Sequence, residues 1–183
     1  TYHVLAISGG NIAILAGLLL GLAHLLGAGQ SASSLSAAAA LCAYAYLVGG
    51  GASVERATLM AVVYLVARAI DHRTRPLNAA AASAGIGAAI EPLLLFDVGA
   101  WFTYGATLAI LVGAPPLVRR FAPPWRWALA PAGLFAASLS AEAALFPVGA
   151  IVFSRVTTAG LILNFAAIPL MTVVQVAGMG TLA

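Results

Sequence analysis

Residues 4–26 read VLAISGGNIAILAGLLLGLAHLL, a run without one formally charged side chain. Wound as an α-helix at 1.5 Å per residue, it reaches about 34 Å, enough to cross the ~30 Å hydrocarbon core of a bilayer. The rest of the chain has the same character. Of its 183 residues, 63% are hydrophobic and only 7% charged, against about 25% charged in a soluble domain. Mean hydropathy is +1.06. These values exclude an ordinary soluble enzyme, a disordered tail and a surface nucleic-acid-binding domain. The expected solvent is lipid, and the expected fold is all-α: a polytopic transmembrane helical bundle of about six to eight segments.

Further apolar runs bounded by Gly, Pro and Arg place helices near 54–70, 77–90, 98–112, 127–145 and 157–183, with a shorter Ala-rich segment over 35–48. The polar stretch 27–34 reads as a turn. Ser53 reads as the N-cap of the third segment, with Glu55 in its first turn and Arg68 in its last. Pro115, Pro116, Arg119 and Arg120 read as part of a basic loop with Trp125 and Trp127 as interface anchors. Pro131 reads as an interruption of the sixth segment. The whole of 1–183 reads as a single membrane domain cut from a longer protein.

Every basic residue is Arg, and the net charge is +3. Arg68, Arg73 and Arg75 flank one loop, and Arg119, Arg120 and Arg126 flank another two crossings later. The loop between them holds Glu91 and Asp97 and no base. This alternation puts both Arg loops on the cytoplasmic side. The lone Cys42 excludes an internal disulfide. His3, His24 and His72 have no metal-ligand spacing, so neither a metal nor any other cofactor is expected.

Polar groups inside a span need a partner or a use. In the first segment they come together as Ser8, Gly9, Gly10 and Asn11. His3, Gly10, Gly17 and His24 recur every seven residues, and Gly17 and Gly21 form a G-x-x-x-G. Two readings stand: a tight helix-packing face, or a kinked helix lining a path. Asn164, five residues before Pro169, either bonds a neighbouring helix or faces a cavity. Glu55 and Arg56 lie near a helix end, from which they can snorkel to the interface. Glu142 is either near the surface or a true intramembrane acid. Ala6-Ile7-Ser8-Gly9 is one residue from a rhomboid-type protease motif, but no His follows His72 to act as base. Catalysis is therefore not expected.

Resemblance carries the reading further. His3-Val4-Leu5-Ala6-Ile7-Ser8-Gly9 is similar to the His-Leu-Leu-Ala-Ile-Ser-Gly-Leu-His signature of ComEC-type competence proteins, the inner-membrane channel family of bacterial DNA uptake. Ser53-Val54-Glu55-Arg56-Ala57 with Met60 resembles the family's Ser-Val-x-Arg-Ala…Met. Pro76-Leu77-Asn78-Ala79, Glu91-Pro92-Leu93, Leu95-Phe96-Asp97-Val98-Gly99 with Ala106-Thr107, and Asn164-Phe165-Ala166-Ala167-Ile168-Pro169-Leu170 resemble its further blocks, in order. Gly10 and Asn11 stand where the family has Leu-His, Trp101 where Gln is common and Thr103 where Ser is.

The resemblance implies passage of one DNA strand across the bacterial cytoplasmic membrane. The implied partners are single-stranded DNA, the lipid bilayer, and other uptake proteins or further copies of the chain. A strand path needs polar, cationic or stacking groups on a common cavity. Ser8, Asn11, Arg56, Trp101 and Asn164 are the channel-lining candidates, with Gly9, Gly10, Gly17, Gly21 and Pro169 as kink or packing positions. A small-solute transporter and a membrane scaffold are the other classes open to such a chain. The transporter would carry an inverted repeat, and the sequence displays none.

Overall fold

The computed structural model describes residues 9–70, 75–121, 125–153 and 159–180. Every regular element among them is helical: α1 Gly9–Leu25, α2 Gln30–Leu47, α3 Ala52–Ala69, α4 Pro76–Ile90, α5 Val98–Phe121, α6 Leu129–Phe153 and α7 Ala159–Gly180. Two 3-10 turns, Pro92–Phe96 and Arg126–Ala128, lead into α5 and α6. Two segments, Val98–Phe121 and Arg126–Val152, are long and apolar enough to cross a membrane. Gly9–Leu25, Pro76–Ile90 and Gly160–Gln175 are shorter apolar helices.

Several boundaries differ from the sequence expectation, each for a physical reason. The polar stretch before residue 35 is mostly helix, not turn. Gln30 Nε2 donates to the Arg68 carbonyl at 3.1 Å and Ser31 Oγ to that of Ala69 at 2.7 Å. The polar side chains thus satisfy the last carbonyls of α3, which have no partner within their own helix. The pairing also sets the start of α2 beside the end of α3, so the two run antiparallel. Ser53 is not the N-cap of α3. That position falls to Gly51, after Gly49 and Gly50 at φ 83° and 67°, left-handed conformations that glycine adopts without steric cost.

α5 runs on through Pro115 and Pro116, so Arg119 and Arg120 belong to its last turn and not to a loop. Their charge there complements the helix dipole. Pro131 does not interrupt α6. It sits in the first turn, where a missing N–H costs no intrahelical bond, and the proline inside the helix is Pro147.

The chain divides into two compact units, Thr1–Gly99 and Ala100–Ala183. The core of the first holds Ile12 and Leu15 from α1, Ala37, Ala38 and Leu41 from α2, and Val54, Ala57 and Leu65 from α3. α4 buries Ala79, Ala80 and Ser83. In the second unit α5 and α6 are antiparallel and meet at small residues. A Cβ on Gly113 would lie 2.8 Å from Ser140 Oγ, and one on Gly105 3.2 Å from Leu145 Cδ2. Buried Ala136, Ser138 and Ser140 complete this pattern, while Phe146, Ile151, Ile162, Leu163, Leu170 and Val173 point outward. Small residues inside and large apolar ones outside are the packing of helices in lipid, where burying Leu gains nothing over leaving it exposed.

Among the described residues nothing packs on the G-x-x-x-G face. Neither Gly17 nor Gly21 has an atom within 4 Å of where a Cβ would stand. α1 packs through Asn11, Ile12 and Leu15, and Gly17 lies about 140° round the helix from Ile12 at ~100° per residue.

Candidate functional site

The site is built where three stretches of the first unit meet. α3 opens with Val54, Arg56, Ala57 and Thr58 all buried. Ala57 sits against α1 at Gly9, whose absent Cβ would lie 3.2 Å from Ala57 Cβ. Beside it Arg56, 8% exposed, turns toward the start of α5. Its Nη1 donates to Asp97 Oδ2 at 2.6 Å.

Asp97 does two jobs with its two oxygens. Oδ1 accepts the Gly99 backbone N–H at 2.9 Å, the bond by which an Asp N-cap satisfies an orphan donor of the helix it precedes. Oδ2 takes the guanidinium. Gly99 makes room for both: a Cβ there would stand 2.8 Å from Arg56 Nη2 and 3.3 Å from Asp97 Oδ1. Asp-Val-Gly is therefore one device, a cap, an ion-pair acceptor and a gap for the arginine. Arg56 does not snorkel to the interface, because its charge is matched inside the protein. It is the one ion pair among the described residues.

The pair has a definite place along the helices. Arg56 lies at the start of α3, and Arg68 in its last turn, about 18 Å further along the axis. The site is thus at the end of the first unit opposite the loop carrying Arg75. Asn11, on α1 two residues after Gly9, is 5% exposed, so its amide faces protein and not lipid.

The other candidates lie elsewhere. Ser8 falls outside the described residues. The kink expected at Gly9 and Gly10 coincides with the first described turn, which is already helical. Trp101 and Asn164 belong to the second unit. Trp101 is 57% exposed in the first turns of α5. Asn164 Nδ2 donates to Ser138 Oγ at 3.3 Å, an interhelical bond between α7 and α6. One turn along the same seam Glu142 Oε1 fills the space where a Cβ of Gly160 would be. Pro169 lies inside α7, which continues past it to Gly180.

Asp97 stands in the sequence as a loop acid and as part of a family-like block, but not among the channel-lining candidates; an Asp two residues before Gly at the head of an apolar run is an N-cap pattern. Its pairing with Arg56, 41 positions away, had no local signal. No group of three or more metal-ligating side chains occurs among the described residues.

A family model described as "Competence protein" matches residues 1–183. No curated protein and no solved structure matches the chain. The match spans the whole sequence, and the chain belongs to the competence protein family.

Proposed function

We propose that this chain is the membrane part of a bacterial DNA-uptake protein and that one DNA strand passes through it. The observation that carries the proposal is the meeting of separate family-like blocks at one place. The Ser-Gly block contributes Gly9, the Ser-Val-x-Arg-Ala block contributes Arg56 and Ala57, and the Phe-Asp-x-Gly block contributes Asp97 and Gly99. Packing alone would be served by apolar side chains, which commonly match or exceed a buried ion pair in stability. A matched Arg–Asp pair supports a positional role.

In this proposal the chain crosses the cytoplasmic membrane about six to eight times. α5 and α6 are two of the crossings, and the shorter apolar helices α1, α4 and α7 supply others. With both Arg loops cytoplasmic, Arg56 and Asp97 lie at the outer end, where a strand would enter. A phosphate at Arg56 competes with Asp97, whose side chain is 43% exposed. Asn11 in the first unit offers an amide to a strand; in the second unit Asn164 offers another, and the exposed Trp101 ring a face on which a base can stack. The chain performs no catalysis and needs no cofactor in this role.

The test replaces Asn11→Leu and Arg56→Leu together in the intact protein and measures transformation beside membrane expression. A fall of tenfold or more at unchanged expression is expected. Normal transformation at normal expression would remove both residues from the path.

A further inference from the structure

The last turn of α5 and the 3-10 turn before α6 carry the densest unmatched charge in the described chain. Arg119, Arg120, Phe121, Trp125, Arg126 and Trp127 are all exposed. Three residues separate Phe121 from Trp125, so the Cα atoms of these two are at most about 15 Å apart at ~3.8 Å per step. No acidic residue occurs between Asp97 and Glu142, and none of the three arginines forms an ion pair among the described residues. The Trp125 and Trp127 rings stack with centroids 5.9 Å apart and planes 11° from parallel. They are 60% and 76% exposed, and between them Arg126 extends from the same turn.

We propose that this cluster binds the phosphate headgroups of anionic phospholipids, with the stacked tryptophans seated at the level of the lipid glycerol. The proposal rests on the membrane reading of the chain but not on DNA passage. Its position favours lipid. The cluster lies between the ends of the two segments long enough to span, Val98–Phe121 and Arg126–Val152, and is flanked by exposed apolar Phe121 and Leu129. Those neighbours fit a hydrocarbon boundary and would be an unfavourable border for a solvated nucleic acid. Indole rings concentrate at the membrane interface because one edge is apolar and the N–H is a donor. Guanidinium groups bind phosphate oxygens through paired N–H donors. Each basic residue near an anionic surface multiplies association by roughly five.

The test uses the full chain with Trp101→Phe, which leaves only Trp125 and Trp127 as tryptophan emitters. The protein is reconstituted in phosphatidylcholine vesicles containing equal mole fractions of either brominated phosphatidylglycerol or brominated phosphatidylcholine, and quenching is compared. The brominated anionic lipid is expected to associate about five- to tenfold more strongly at low salt, and the preference should shrink in 0.5 M salt. Adding Arg119→Gln, Arg120→Gln and Arg126→Gln should bring the two lipids within twofold of each other. Arg68→Gln, a control in the other unit, should leave the preference intact. Equal quenching by both lipids before any arginine is replaced would overturn the proposal, as would a preference that survives loss of all three. Loss of binding to a labelled 20-nucleotide oligothymidine in the triple variant, with no lipid preference in its parent, would overturn it in favour of nucleic acid. A protein that fails to float with the vesicles at all would overturn the membrane reading, an outcome distinct from equal quenching.

Discussion

Arg56 and Asp97 are unequal partners, and the inequality is testable. Arg56 is 8% exposed, whereas the Asp97 side chain is 43% exposed and also caps α5. Replacing Arg56 by Met leaves a carboxylate that water can reach and that still accepts the Gly99 N–H. Replacing Asp97 by Ala removes the carboxylate that pairs with the buried guanidinium and a cap worth about 1 kcal/mol. Asp97→Ala should therefore destabilise the purified protein more than Arg56→Met, by roughly 2 kcal/mol in thermal or denaturant unfolding. Arg56→Met combined with Asp97→Asn should recover part of the loss. Equal effects of the two single replacements would show that burial of Arg56 does not govern the pair. The composition of this site was visible in sequence, since an Arg near the head of an apolar helix and an Asp-x-Gly before another both stand out. Their contact was not, because side-chain pairing across helices leaves no periodic trace.

Helices were the most legible feature, and their ends the least. An apolar run announces a helix, but what stops it depends on neighbours. Gln30 and Ser31 look like loop residues until the carbonyls of Arg68 and Ala69 are placed beside them. Pro115 and Pro116 look like breakers, yet a helix in lipid can carry proline when the freed carbonyls are otherwise satisfied. Glycine spacing was similarly ambiguous. Gly17 and Gly21 carry the recognisable motif but have no neighbour there among the described residues, whereas Gly113 lies against Ser140. Gly113→Val should drive its side chain into Ser140, whose Cβ is fixed to the backbone, and destabilise the second unit by about 1–3 kcal/mol. Gly17→Ala should be neutral or stabilising by up to about 1 kcal/mol. Unfolding of the two variants side by side checks this, and a larger loss at Gly17 would mean that α1 uses that face against something outside the chain.

For the whole molecule, the proposed orientation rests on charge and the proposed cargo on the family-like blocks. Arg120→Cys and Glu91→Cys, each made in a Cys42→Ser background because Cys42 is exposed, should react with impermeant maleimide from opposite sides of the membrane. Labelling from the same side would refute the arrangement in which Arg56 and Asp97 lie at the outer end. The all-α class was legible in the long apolar runs bounded by Gly, Pro and Arg; of the six to eight expected spans, two described segments are long and apolar enough to cross a membrane. DNA as the proposed cargo rests on motif resemblance and not on any physical property of the chain. The most direct test is therefore to follow the cargo. Fluorescent double-stranded DNA is supplied to competent cells of the source bacterium with the full-length gene intact, deleted or restored, and nuclease-resistant signal is scored on each side of the cytoplasmic membrane. DNA should reach the cell surface in all three strains but enter the cytoplasm only where the gene is present. Cytoplasmic entry at the parental level in the deletion strain would contradict the account.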